Sequence, residues 1–112
     1  MLQFTQGILM KILLLEDDLI LNEIIQEHLL GKNHNVTSVF SGDEAQEIIY
    51  TKTFDLMLLD VNVPNINGFE LLKDLRDSGI KTPAIFLTSA HMLEDVEKGF
   101  KSGCDDYIKK PF

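Results

Sequence analysis

The sequence has little of several features that mark specialised classes of protein. It contains a single cysteine, Cys104, which excludes a disulfide within the chain and fits a reducing compartment. No apolar run approaches the roughly 20 residues of a membrane-spanning helix, and no basic segment precedes a long apolar one as in a signal peptide. We therefore predict a cytoplasmic protein that does not associate with membranes.

Positive charge is also scarce. The chain has 10 Lys and Arg residues against 18 Asp and Glu, which gives a formal net charge of −8. Because phosphate contacts need clustered Lys and Arg, we do not expect this chain itself to bind nucleic acid. The three histidines are too scattered to predict a metal site with nitrogen ligands.

Apolar segments of strand length alternate with segments of helical periodicity. The predicted strands cover residues 11–15, 35–40, 56–59, 84–87 and 107–108. Four predicted helices have apolar faces formed by Leu21, Ile24, Ile25 and Leu29, by Ala45, Ile48 and Ile49, by Leu71, Leu72 and Leu75, and by Leu93, Val96 and Phe100. Ser41 and Glu44 form a capping box at the start of the second helix. This alternation predicts one α/β domain, a parallel sheet with helices on both faces.

Polar residues lie just after four of the predicted strands, namely Glu16 with Asp17, Asp60, Thr88 and Lys110. Sites in open parallel sheets form at the carboxyl ends of the strands, so these side chains are expected to share one rim. Three carboxylates in one crevice need a compensating cation, and hard oxygen ligands favour Mg²⁺. Lys110 and Thr88 would complement a phosphoryl group, and Asp60 is the candidate nucleophile that forms an acyl phosphate.

At these residues the sequence resembles the receiver domain of bacterial two-component response regulators. The matching segments are KILLLEDD, LMLLDVNVPNINGFELL, PAIFLTSA and GCDDYIKKPF, which follow one another between Lys11 and the last residue. The resemblance implies a flavodoxin-like, doubly wound sheet of five parallel strands in the order 2-1-3-4-5. It also implies a phosphorylation-activated switch and not an enzyme, apart from self-catalysed phosphoryl transfer to Asp60 and slow autodephosphorylation.

The resemblance assigns a role to each acidic residue of the rim. Asp60 corresponds to the phosphoacceptor, Asp17 would bind Mg²⁺ directly, and Glu16 would bind it through water. Asn62 would contribute its backbone carbonyl to the metal. We interpret Asp18 as a cap or first-turn acid of the first helix in preference to a metal ligand.

The remaining roles concern the switch. By resemblance, Thr88 is the hydroxyl that moves to the phosphoryl oxygen, and Tyr107 is the aromatic residue coupled to it; static core packing is the alternative for Tyr107. Lys110, in preference to Lys109, would form the salt bridge because it precedes Pro111. A cis Lys110–Pro111 bond is expected from the family.

A receiver takes its phosphoryl group from a sensor histidine kinase, which is the partner that the resemblance implies. The EDDxxL, GxDDY and KPF patterns favour receivers joined to winged-helix DNA-binding domains, so the expected output is control of transcription.

One alternative is a stand-alone or degenerate receiver that acts as a protein-binding module. Another is a Mg²⁺-dependent phosphatase of the haloacid dehalogenase type, although Asn62 stands where that family needs a second acid. A flavodoxin-like FMN binder is the third, although Glu16–Asp18 would repel its phosphate.

The two ends of the chain depart from the family pattern. Residues 1–9 read as an N-terminal extension, either an alternative start or an expression remnant, and residues 10–112 as a receiver domain that stops after the KPF motif, before the fifth helix. Without that helix, we expect apolar surface to be exposed along strands one and five, and a homodimer to form through the helix 4–strand 5 side or by swapping. A further hypothesis is that part of this surface is covered by Leu2, Phe4, Ile8 and Leu9.

Overall fold

Five parallel strands form a single sheet in the computed structural model, which describes residues 9–88 and 103–110. The strands are β1 (Lys11–Leu15), β2 (Asn35–Val39), β3 (Leu56–Asp60), β4 (Ala84–Thr88) and β5 (Asp106–Lys109). The helices of the described part are α1 (Leu19–Leu30), α2 (Gly42–Ile49) and α3 (Gly68–Asp77). The strand order is β2-β1-β3-β4-β5, which confirms the predicted topology. The predicted fourth helix, the Lys110–Pro111 bond and residues 1–8 lie outside the described residues.

Both faces of the sheet are covered, as the continuous apolar strands predict. Alternate residues of β1, such as Leu13 and Leu15, face a core formed with α2 and α3, to which Leu71 and Leu75 belong. The intervening residues form a second core on the opposite face, where α1 packs. This second core consists of Ile12, Leu14, Leu58 and Leu87, against which Ile25 and Leu29 are packed. The sheet is therefore rigid at its centre, where β1 and β3 position the acidic residues.

Side-chain caps fix the start of each helix close to the end of the preceding strand. The Leu21 N–H donates to Asp18 Oδ1 at 3.0 Å, so the interpretation of Asp18 as a helix cap is confirmed. The predicted capping box also forms, because the Phe40 N–H donates to Glu44 Oε1 at 3.1 Å and Ser41 caps α2. This bond explains why β2 ends at Val39, one residue earlier than predicted.

Two glycines allow the loop after β3 to pack tightly. A Cβ atom on Gly68 would lie 2.6 Å from the carbonyl oxygen of Asp60, and one on Gly42 would overlap the backbone of Ile66. The loop between Asp60 and α3 is therefore held against the start of α2, where the Gly42 N–H donates to the carbonyl oxygen of Pro64 at 3.2 Å.

An apolar groove of about 430 Å³ runs between α1 and the β5 side of the sheet. It is lined by Ile24, Ile25, His28, Leu29, Leu58, Leu87 and Ile108. The expected exposure is thus found at β5, where Ile108 is 43% exposed, but the expectation for strand one is wrong. Strand β1 is an inner strand of the sheet, between β2 and β3 and under α1, so Ile12 and Leu14 are buried. Leu9, proposed as part of a cover, is itself exposed.

Candidate functional site

The acidic residues predicted for the rim meet at the carboxyl ends of β1 and β3. Glu16, Asp17 and Asp60 each place a carboxylate oxygen within 4.8 Å of the others. They come together because β1 and β3 are adjacent and in register, with Leu15 paired to Leu59, so the residues that follow emerge side by side.

Lys110 neutralises part of this cluster. Its Nζ lies 2.7 Å from Glu16 Oε1 and 3.3 Å from Asp60 Oδ2. The position follows from the pairing of β5 with β4, in which the Lys110 N–H donates to the Thr88 carbonyl oxygen at 2.6 Å. Burial opposes the charged form of Lys110, but the hydrogen bond to Glu16 and the charge of Asp60 outweigh it and raise its pKa. Lys109 is exposed, so the geometry favours Lys110 as the salt-bridging residue.

Glu16 uses both of its carboxylate oxygens within the protein. Oε1 contacts Lys110, and Oε2 accepts the Asp18 N–H at 3.0 Å, while the side chain is fully buried. Asp17 is exposed, so its carboxylate faces solvent at the mouth of the site. This difference agrees with a direct metal ligand at Asp17 and a more distant, water-mediated one at Glu16.

Asp60 is buried at the end of β3, where its carboxylate is poorly solvated. Its Oδ1 accepts the Asn62 N–H at 3.4 Å. Burial raises the pKa of Asp60 to about 6, and the charge of Glu16 adds to this rise while Lys110 opposes it. One lysine therefore does not offset the full negative charge of the cluster.

The donor set fits a hard divalent cation. All three candidate side chains are carboxylates, and neither cysteine nor histidine is among them. Mg²⁺ prefers oxygen ligands, keeps several waters and takes one or two carboxylates from a protein. Asp17 and Asp60 could supply those carboxylates. The backbone of Asn62 lies close to the Asp60 carboxylate, since its N–H donates to Asp60 Oδ1.

Thr88 and Tyr107 lie on the neighbouring strands β4 and β5. Thr88 is buried at the end of β4, the strand that pairs with β3. Tyr107 on β5 is paired with Phe86 and packs partly buried against the larger core. Since Phe86 and Thr88 are two residues apart, their side chains share a face with Tyr107. This placement is compatible with both interpretations of Tyr107, a coupled switch and static packing.

Asn22, the one buried polar residue of α1, is not among the residues predicted from the sequence. It is 1% exposed, and its Nδ2 donates to the Glu16 carbonyl oxygen at 2.8 Å. Ile24, predicted on the buried face, is 57% exposed. The buried stripe is rotated by about one residue and contains Asn22, Ile25 and Leu29, spaced i, i+3 and i+7. That spacing is the signal that could have identified Asn22 as buried. Hydrophobic periodicity does not use it, because it counts apolar residues only.

The family model described as the response regulator receiver domain matches residues 12–112. Among curated proteins, the transcriptional regulatory protein DltR of Streptococcus agalactiae is 42% identical over 103 residues, which are 92% of this chain and 46% of that protein. The transcriptional regulatory protein CiaR of Streptococcus pneumoniae is 42% identical over 104 residues, 93% of this chain and 46% of that protein. The chain thus spans about half the length of the curated relatives it matches.

Solved structures agree with these matches. The Francisella response regulator 1452 receiver domain superposes with a TM-score of 0.89 at 36% identity, and the match covers 93% of this chain and 86% of that one. No helix in the described ranges, 9–88 and 103–110, is long and apolar enough to cross a membrane. On the family match, the relatives and the shared fold, the chain belongs to the response regulator receiver domain family.

Proposed function

We propose that this chain is a signalling switch that accepts a phosphoryl group on Asp60 from a sensor histidine kinase. The observation that carries the proposal is the buried Asp60 carboxylate, held between Lys110 and two further acids at the rim of the sheet. A structural ion pair alone would not require three acids around one lysine. The surplus of negative charge suits a site that is completed by a cation and a phosphoryl group.

The chemical step is a transfer between two nucleophiles. A carboxylate oxygen of Asp60 bonds to phosphorus while the bond from phosphorus to the donor histidine nitrogen breaks, and the electron pair of that bond stays on the nitrogen. When bound, Mg²⁺ supplies positive charge that offsets the phosphoryl oxygens and the carboxylates. The role of Lys110 is to donate to a phosphoryl oxygen from its present position beside Asp60. Thr88 supplies a hydroxyl from the neighbouring strand.

The start of α1 is the proposed contact surface for the kinase. Leu19 and Ile20 are 70% and 73% exposed and follow directly after Asp17 and Asp18. Exposed apolar side chains in a group commonly mark a protein interface. A donor histidine that approaches Asp60 would bring its own helix against this apolar pair.

We propose transcription as the output, because the curated relatives include several transcriptional regulators. In this proposal, phosphorylation of Asp60 moves Thr88 and alters the β4–β5 side of the sheet, where a dimer would form. The phosphatase alternative is disfavoured because Asn62 cannot act as a general acid or base. A degenerate binding module is disfavoured because Asp17, Asp60, Thr88 and Lys110 are all present.

Incubation with acetyl phosphate and Mg²⁺, followed by intact mass measurement, tests the proposal. We expect one added phosphoryl group on the wild-type chain and on Asp106→Asn, a control at an exposed acid of β5. We expect none on Asp60→Asn or in the presence of EDTA. An unmodified wild-type chain, or an adduct that persists in Asp60→Asn, would overturn the assignment.

A further inference from the structure

Asn22 has no assigned role, yet it is among the most deeply buried polar side chains in the described part of the protein. Three polar groups satisfy its amide. The Nδ2 donates to the Glu16 carbonyl oxygen at 2.8 Å, and the Oδ1 accepts from Gln26 Nε2 at 2.8 Å and from the Ser38 hydroxyl. Because the Glu16 carbonyl can only accept, it fixes which end of the amide faces the β1–α1 loop.

These bonds tie the loop that carries two of the three acids to two different elements. Ser38 lies on β2, and Gln26 lies one turn further along α1. The peptide group on the other side of Glu16 is also held, since the Glu16 N–H donates to the Val39 carbonyl oxygen at 3.2 Å. Glu16 is therefore fixed through its N–H, its carbonyl and both carboxylate oxygens.

We infer that Asn22 is a positioning residue for the metal site. The Glu16 carbonyl belongs to the peptide group that joins Glu16 to Asp17, so the Asn22 amide sets the plane of that group. Asp17 is exposed, and the direction of its carboxylate depends on this peptide plane more than on packing. Without the Asn22 donor, the peptide can rotate and the Asp17 carboxylate loses its fixed position within 4.8 Å of the Asp60 carboxylate. This inference rests on the proposed function, in which Asp17 binds Mg²⁺ directly.

The test measures the dissociation constant for Mg²⁺ by calorimetry, well below the unfolding temperature of every variant. Asn22→Leu keeps the branched shape and the number of heavy atoms but removes the donor, and Asn22→Ala removes both the shape and the donor. We expect Mg²⁺ binding to weaken about 10-fold in both variants, as is typical when a group that orients a ligand is removed. The rate of phosphorylation by acetyl phosphate should return towards the wild-type rate at saturating Mg²⁺, because Asp60 and Lys110 are untouched.

Ile49→Val is the matched control for general destabilisation, because Ile49 lies in the core on the other face of the sheet. It should lower the unfolding temperature and leave the Mg²⁺ dissociation constant unchanged. Wild-type Mg²⁺ affinity in Asn22→Leu would show that the side chain only fills space, and it would overturn the inference while the phosphorylation of Asp60 still stands. A wild-type chain that binds no Mg²⁺ and takes up no phosphoryl group would overturn both.

Discussion

The surroundings of Asp60 disfavour the ionised form of its carboxyl group. Burial and the charge of Glu16 act in the same direction on its pKa, and Lys110 offsets them only in part. The charged form of Asp60 is therefore costly in the folded protein. Carboxyl groups whose pKa is shifted in this way are common at functional sites.

The first prediction concerns the pH dependence of stability in metal-free buffer. The pKa of Asp60 rises from 3.8 to about 6 on folding, so the folded chain binds more protons than the unfolded chain between these values. The contribution of Asp60 to stability is therefore present below pH 4 and is lost as the pH rises through 6. Asp60→Asn should be more stable than the wild type by about 2–3 kcal/mol at pH 7.5 and equally stable near pH 4.

Urea denaturation at several pH values in EDTA measures this difference. Asp77→Asn, at an exposed acid of α3, serves as the control and should show no comparable change. A difference between Asp60→Asn and wild type that is constant from pH 4 to 7.5 would contradict the prediction.

The second prediction concerns the pairing of Lys110 with the fully buried Glu16. Lys110→Met keeps the aliphatic length but leaves Glu16 without the ammonium at 2.7 Å. In metal-free buffer at pH 7, the free energy of unfolding should fall by about 2 kcal/mol, less than for a fully buried pair because Lys110 is partly exposed. Chemical denaturation measures the loss, and Lys109→Met is the matched control, which should change stability little. If Glu16→Gln does not recover part of the loss in the double variant, the pairing is not its cause.

At the scale of elements, the site depends on short loops that are held against their neighbours. The caps at Asp18, Ser41 and Asn67 start the described helices. The start of α3 lies against the end of β3, where the Gly68 N–H donates to the Val61 carbonyl oxygen at 2.8 Å. The loop after Asp60 is additionally held by α2, since Asn65 Nδ2 donates to Asp43 Oδ1 at 2.8 Å. This bond and the Asn22 contacts link the acidic rim to the helices on both faces of the sheet.

The third prediction tests this packing at Gly42. A Cβ atom there would overlap the Ile66 carbonyl oxygen, which is backbone and cannot move away alone. Gly42→Ala should therefore lower the free energy of unfolding by about 2 kcal/mol or more and slow the phosphorylation of Asp60. The matched control is Gly31→Ala at the end of α1, where the nearest atom would be 3.3 Å away and the φ of −64° suits any residue. Equal stabilities of the two variants in urea would contradict the expectation.

At the scale of the whole molecule, the residues that the structure describes do not cover the two faces of the sheet equally. The face under α2 and α3 is closed by a large core, whereas the face under α1 has the apolar groove that ends at Ile108. Apolar surface of this kind favours association. It lies on the β5 side, on which the sequence analysis placed a dimer.

The fourth prediction is that this groove binds an apolar dye such as ANS, whose fluorescence reports exposed apolar surface. Replacing Ile24 and Ile108 by serine should reduce the dye fluorescence and weaken any self-association seen by sedimentation. Leu30→Ser is the control, because Leu30 is equally exposed on the same helix but does not line the groove. Equal dye binding by the double variant and the wild type would contradict the prediction.

The sequence by itself determined the parallel sheet and the residues at its rim. Continuous apolar strands, a capping box and polar residues directly after the strands are local patterns, and the motifs around Asp60 specify the strand order through the family. These features can be predicted without knowledge of the packing, because each depends on only a few residues that are neighbours in the sequence. The helix cap at Asp18 could be predicted from the sequence for the same reason.

Only the tertiary structure decided which face of α1 is buried, and with it the role of Asn22 and the position of the groove. The rotation of a helix against a sheet depends on contacts between residues far apart in the chain, such as Asn22 with Ser38. Hydrophobic periodicity counted Ile24 as buried because it scores apolar residues alone, whereas a polar amide can be buried when three partners satisfy it. Lys110 was predicted as the salt-bridging residue, but its contact with Glu16 was not, because the two residues are distant in sequence and close only in the folded protein.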